Sequence, residues 1–218
     1  MVIAVIPAYN EEKTIKKVVS EVKPYVDEII VVDDGSKDDT FIFARRAGAL
    51  VSRHIINRGQ GAALETGNTR ALKMGADIIV HFDADGQHIA SDIDKLIKPI
   101  KNKECDVVFG SKFLIDTDYI PFTKKFFILK PAIYLNRFLT GMKLTDVHNG
   151  LRAMSNFAAQ KIKITQDKMA HNTEIPSEVK RNNLKWREVP VKFIYNEYGQ
   201  GFGGGIEILR DLILRKII

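Results

Sequence analysis

Cysteine is almost missing from this chain: Cys105 is the only one in 218 residues, so no internal disulfide can form. That suits a reducing, cytoplasmic setting. Cys105 itself reads as a small apolar residue beside a strand. No apolar run is long enough to span a bilayer. The densest stretch, 119–139, is interrupted by Lys124, Lys125, Lys130 and Arg137. The opening MVIAVIPAYN has neither the basic start nor the long apolar core of a signal peptide. There is no G-x-G-x-x-G after the first apolar run, and no G-x-x-x-x-G-K-S/T anywhere. A dinucleotide oxidoreductase and a P-loop phosphotransferase are therefore disfavoured. Internal repeats and low-complexity linkers are absent too.

What is present is ordinary for a soluble globular protein: 45% hydrophobic and 28% charged residues. The length suits one substantial α/β domain over 1–218. The net charge of +6 would suit nucleic acid, an anionic membrane surface or a phosphorylated substrate. The basic residues are scattered among acids, and no RNA-binding aromatic motif occurs, so nucleic acid is not expected as a partner.

Apolar runs alternate with helical periodicity through the first half. Strands are predicted at 2–6, 28–34, 49–54, 77–85 and 106–111. Helices are predicted at 11–23, 38–47, 61–74 and 93–100. Strands this continuously apolar are buried on both faces, which implies a mostly parallel sheet covered by helices. In such sheets ligands bind beyond the carboxyl ends of the strands. The second half is less regular. An amphipathic helix is expected over 119–139, broken near Pro131, then a strand with a loop before it in 144–154. A helix at 169–182 and a strand at 186–193 follow. A glycine-rich loop at 199–205 leads into a terminal amphipathic helix that serves as core or as a dimer contact.

Polar residues recur at the strand ends. Asp83-Ala84-Asp85 follows an apolar strand directly. Two carboxylates so close repel each other unless a cation lies between them. Mg2+ and Mn2+ favour oxygen ligands from one or two carboxylates plus substrate phosphates. The segment therefore suits a divalent ion, though solvated loop carboxylates would look the same. Gln87 and His88 are near enough to add a ligand or a phosphate contact. Asp33 and Asp34 end another strand; acceptors there suit a base N–H or a ribose hydroxyl, while Ser36 or Asp38 suits a helix cap. Pro7-Ala8-Tyr9-Asn10-Glu11 offers a ring to flank a base, or Asn10 as a cap. Arg58, Gly59 and Gly61 open a helix whose start favours anions, or form a plain turn.

The segments IPAYNEE, VVDDGSKDDT, NRGQGAALETG and FDADGQH occur in this order at the spacing of successive βα units. Together they resemble glycosyltransferase family 2, most closely its dolichyl-phosphate mannosyltransferase-like branch. The resemblance is strong over 1–115 and looser beyond. It implies a GT-A fold, a Rossmann-like three-layer α/β/α sandwich. The nucleotide-sugar half would be 1–115 and the acceptor half 116–218. It implies a nucleotide-binding set of Pro7, Ala8, Tyr9, Glu11, Asp33, Asp34, Arg58, Gly61, Asp83, Ala84 and Asp85. Asp83, Asp85 and Gln87 would hold Mg2+ or Mn2+. Asp146, in TDVHNGLRAM, resembles the family's acidic position before a Gly-aromatic-Arg segment, with Leu151 in place of the aromatic. Glu174 lies in a stretch resembling the acceptor-side helix.

The resemblance implies an inverting transfer from a UDP- or GDP-linked sugar to a lipid-phosphate or glycan acceptor, in cell-envelope polysaccharide or glycolipid synthesis. It admits peripheral association with the inner membrane face and a homodimer. A hydroxyl acceptor would need a base, with Asp146 first choice and Glu174 second. A phosphate acceptor would instead rely on Lys112, Arg152, Arg58 and His88. The branch usually carries positive charge in its late loop, where this chain has Asn196 to Gly205 without it. A sugar nucleotidyltransferase would show a basic glycine-rich loop where this chain has AYNEE. A non-catalytic nucleotide-sugar-binding protein is the alternative from another class.

Overall fold

The computed structural model describes residues 1–114, 141–147 and 149–194. The helix expected over 119–139, the glycine loop, the terminal helix and His148 lie outside the described residues.

Seven strands form one sheet in the order β3-β2-β1-β4-β6-β5-β7. They are β1 (Val2–Ala8), β2 (Glu28–Asp33), β3 (Leu50–Arg53), β4 (Ile78–His81), β5 (Val107–Ser111), β6 (Arg152–Ser155) and β7 (Trp186–Pro190). β1 pairs in parallel with β2 and β4, β2 with β3, and β5 with β7. Only β6 runs antiparallel, against β4 and β5. The expectation of a mostly parallel sheet holds.

β1 is buried at all seven positions because both of its faces are covered. Val2, Ala4, Ile6 and Ala8 face one core, with α1 (Ile15–Val22), α2 (Thr40–Arg46) and α4 (Ile93–Lys101) packed over it. Ile3 and Val5 face the other, under α3 (Gln60–Lys73), α5 (Asn156–Lys161) and α6 (His171–Arg181). This is the three-layer arrangement. Each fully buried Ile or Val contributes roughly 1.5–3 kcal/mol from removal of apolar surface. Cys105 sits in the first core and Trp186 packs against the second, both as structural residues.

Two expected strands shorten. The run over 77–85 ends at His81, because Asp85 Oδ1 accepts the Gln87 N–H at 2.9 Å and closes a side-chain turn. Of 144–154, only the end from Arg152 is strand. The residues before it form a loop tied to β7, where the Glu188 carboxylate accepts the N–H of Thr145 at 2.8 Å. Helix α1 begins four residues later than predicted, since the Thr14 and Ile15 N–H groups first form a turn on the Glu11 carbonyl.

Candidate active site

Because six of the seven strands point the same way, the loops after β1, β2, β4, β5 and β7 meet on one edge. There they enclose a cleft of about 680 Å³, a size suited to a small-molecule ligand. Its walls include Pro7, Ala8, Tyr9, Glu11, Asp34, Asp83, Ala84, Asp85, Gln87, His88 and Lys112. Most of the residues singled out from sequence are thus gathered in one place.

Asp83 is held on both oxygens. Oδ1 accepts Gln60 Nε2 at 2.9 Å, and Oδ2 lies 3.0 Å from His88 Nε2. His88 is itself buried edge-on between Phe82 and Phe193. Burial would raise the Asp83 carboxyl, but the His88 hydrogen bond and the Arg152 charge outweigh it and leave it below the usual range. Gly150 presses against this carboxylate so closely that a Cβ would fall 1.9 Å from Oδ2. Asp85 behaves oppositely. Burial and the Asp83 charge raise it, offset in part by the Gln87 N–H. Glu11 is raised too, by burial first and then by Asp85, Asp38 and Asp83, against a hydrogen bond from Thr14 Oγ1 at 2.7 Å. Three carboxylates therefore share one negative field at the cleft. No three His, Cys, Asp or Glu side chains among the described residues are grouped to hold a metal by themselves.

On the far wall, Lys112 Nζ lies 3.9 Å from Asp146 and 4.8 Å from the Phe193 ring centroid. Asp146 is buried behind it and accepts the Asn149 amide at 3.3 Å. It stands next to the cleft wall rather than on it.

Several expected ligands have other work. Asp33 is buried; Oδ1 accepts the Ser36 N–H at 2.9 Å, and Oδ2 lies 3.0 Å from Arg53 Nε. Asp34 holds the next loop, accepting the N–H groups of Arg58 and Gly59 at 3.0 and 2.6 Å, with His54 Nδ1 at 2.6 Å. Asn10 does not cap α1: its Oδ1 accepts the Lys37 N–H at 2.9 Å. The start of α3 is closed to anions at Gly61, because the Asp167 carbonyl accepts the N–H groups of Gly61 and Ala62 at 2.8 and 3.3 Å. A Cβ on Gly61 would meet the Gln166 carbonyl at 1.9 Å, so this glycine admits backbone rather than ligand. Arg58 is exposed and faces Asp167 at 3.7 Å, off the cleft wall. Glu174 faces away from the cleft, accepting the N–H groups of Thr165 at 3.0 Å and Gln166 at 3.0 Å.

Arg152 is the main departure from expectation. It is 1% exposed, so it is no surface phosphate clamp. Its guanidinium donates to the carbonyls of Gly150 and Asn149 at 3.3 and 3.2 Å and to Asn172 Oδ1 at 2.8 Å. Burial lowers its pKa to about 10, against the opposing pull of Asp83 and Asp146. Its charge, with burial as the larger cause, also holds His81 well below its ordinary value and His171 down to about 4. Burial and the Arg152 charge favour the neutral form of both imidazoles, and Arg152 supplies the positive charge beneath the floor. Asn149, Gly150 and Asn172, which it fixes, all line the cleft.

Sequence reasoning passed over Gln60, Asn149, Gly150, Asn172 and Phe193. Gln60 and the Asn149-Gly150 pair stood inside motifs already noticed. Asn172 and Phe193 carried no local signal, since the fold alone brings them to the cleft.

The model of glycosyl transferase family 2 matches residues 3–163. The chain is 39% identical over 227 residues to an uncharacterised protein of Methanocaldococcus jannaschii, spanning 99% of this chain and 92% of that protein. It is 37% identical over 243 residues to the UDP-N-acetylglucosamine–dolichyl-phosphate N-acetylglucosaminyltransferase of Methanococcus voltae, spanning 100% of this chain and 95% of that enzyme. Glucosyl-3-phosphoglycerate synthase from Mycobacterium tuberculosis, crystallised with Mn2+, UDP and glucosyl-3-phosphoglycerate, shares the fold. Its TM-score is 0.74 at 22% identity, over 98% of this chain and 77% of that one. Motif order, sheet topology and these matches agree, and the chain belongs to glycosyltransferase family 2, an enzyme on the GT-A fold.

Proposed function

We propose that this enzyme transfers a sugar from a nucleoside diphosphate donor to a polyprenyl phosphate at the cytoplasmic face of a membrane, with inversion at the anomeric carbon. One observation carries the reading: a single cleft joins an exposed aromatic ring at Tyr9, the paired carboxylates Asp83 and Asp85, and a cation at Lys112. The full-length relative from Methanococcus voltae is named for a UDP-linked donor and a dolichyl phosphate acceptor.

Tyr9 and Glu11 would border the base and ribose. Asp83 and Asp85, with Gln87 beside them, would hold Mg2+ or Mn2+; burial first, and then the Asp83 charge, raise Asp85, and a divalent cation offsets both. When bound, the ion offsets the charge that develops on the leaving diphosphate. In the transfer, the acceptor phosphate oxygen forms a bond to the anomeric carbon as the bond to the diphosphate breaks. The diphosphate leaves with the electron pair. An anionic acceptor needs no proton removed, so Asp146 then serves to hold Lys112 at the cleft wall. For a hydroxyl acceptor, Asp146, just behind the cleft wall beside Lys112, would serve as the base. Glu174 is less suited to that role, since its carboxylate is committed to the 165–166 backbone.

A thermal-shift screen of UDP, GDP and their sugars, with and without Mn2+, tests the donor. A rise confined to one base plus metal is expected. No rise with any nucleotide would overturn the reading. Product formation from polyprenyl phosphate, and none from a neutral glycan, would fix the acceptor.

A further inference from the structure

Exposed apolar side chains are not spread evenly over this molecule. Nine large hydrophobic residues are exposed among the described residues. Six of them sit on the edge where the cleft opens. Tyr9 follows β1, Ile55 and Ile56 follow β3, Leu114 follows β5, Ile194 follows β7, and Met169 stands on the cleft wall. Ile55 is 100% exposed and Ile56 68%. Solvent exposure of two adjacent isoleucines is costly in water and calls for a partner.

These isoleucines are held out by construction. Asp34 fastens both ends of their loop, through His54 at one end and the N–H groups of Arg58 and Gly59 at the other. The Gly35 backbone presses on the loop from beneath, where an added Cβ would meet the Ile56 carbonyl carbon at 2.8 Å. The loop is braced and the side chains point outward.

Five of these six residues, all but Tyr9, also have a cation within two positions in sequence. Arg53 and Arg58 flank Ile55 and Ile56, Lys112 precedes Leu114, Lys168 precedes Met169, and Lys192 precedes Ile194. The two arginines keep ion pairs with Asp33 and Asp167, while Lys168 and Lys192 are exposed. Apolar tips alternating with basic heads match a surface of acyl chains beneath anionic headgroups, and match a protein partner's uniform apolar groove less well.

We infer that this edge docks on an anionic lipid bilayer, with Ile55 and Ile56 as an inserted wedge, so that the cleft opens toward the membrane. The inference rests on the lipid-phosphate reading above and names the surface that brings that acceptor to the cleft.

Sedimentation of the full chain with lipid vesicles tests it. The probes are phosphatidylcholine vesicles, alone or mixed with phosphatidylglycerol. Binding to the mixed vesicles is expected, with far less to the neutral ones. The double substitution Ile55→Ser, Ile56→Ser should weaken binding on the order of tenfold or more. Lys168→Glu should remove the preference for anionic vesicles. Neither isoleucine lines the cleft, so the double variant should keep its nucleotide-induced thermal shift and its transfer to a water-soluble short-chain acceptor phosphate. A folded double variant that sediments like the parent would overturn the docking surface. So would a concentration-dependent dimer that the double substitution abolishes without changing vesicle binding. A chain that fails to bind vesicles but responds to nucleotide refutes the docking surface alone. Absence of any nucleotide response refutes the donor reading instead.

Discussion

The two walls of the cleft are built differently. The wall from β1 to β3 is laced by main chain and short side chains from neighbouring turns. The Asn10 N–H donates to Ser36 Oγ at 3.0 Å, the Glu11 N–H to Thr40 Oγ1 at 2.7 Å, and Asp34 gathers the 54–59 loop. The wall from β5 to β7 rests on longer side-chain reaches. Glu188 holds Thr145, and Arg152 holds Asn172. A turn-based wall presents groups in fixed places. A wall held by a few long side chains concentrates its integrity in a few residues, above all Arg152.

The largest expected effect breaks the chemistry without touching either wall. Asp85→Asn should lower turnover by a factor on the order of 10² to 10³, as loss of a major electrostatic contact does, and remove the Mn2+-dependent thermal shift. The melting temperature should hold or rise, because Asp85 is destabilised where it stands. A full loss of fold would refute that view.

Next comes the second wall. Arg152→Met leaves Asn172 Oδ1 and two carbonyls without their donor, at roughly 1–3 kcal/mol for each buried group orphaned. Urea unfolding should show the loss. Arg152→Lys should recover only part of it, because a lysine lacks the planar fork. Serine at Ser36, the matching device on the first wall, should be replaceable by alanine at a cost of about 1 kcal/mol. Equal costs would erase the contrast between the walls.

A third test uses acid. Burial and the Arg152 charge lower His171 to about 4 from 6.5. The unfolded chain therefore takes up this proton first. The stability linked to His171 is complete above about pH 6.5 and drains away as pH falls through the window down to about 4. Urea midpoints for the parent and His171→Gln should converge across that window; parallel curves would count against a neutral buried imidazole.

The smallest effect belongs to Tyr9. It is 41% exposed at the mouth, so Tyr9→Ala should raise KM for the donor about three- to tenfold, as one aromatic stacking contact allows, with kcat little changed. A change in kcat alone would move Tyr9 from the donor to the acceptor side.

Much of this protein was readable in advance. Runs such as Val2–Ile6 and Ile29–Val32 are apolar at every position, and only a strand covered on both faces buries all of them. The parallel sheet, the three layers and the gathering of Tyr9, Glu11, Asp83 and Asp85 at one edge follow from that rule and from short βα turns. Tertiary structure decided what each polar group does there. Asp33 and Asp34 look like free acceptors at a strand tip, yet Asp33 is held by the Ser36 N–H and by Arg53, and Asp34 by His54, Arg58 and Gly59, 20 to 25 residues on. Arg152 reads as a clamp, but β6 enters the sheet antiparallel and carries it beneath the floor. Periodicity reports which face of an element is dry. Which donor reaches which acceptor depends on chain segments 20 to 100 residues apart, such as Arg152 with Asn172 or Lys192 with Asp92, and only folding brings those together.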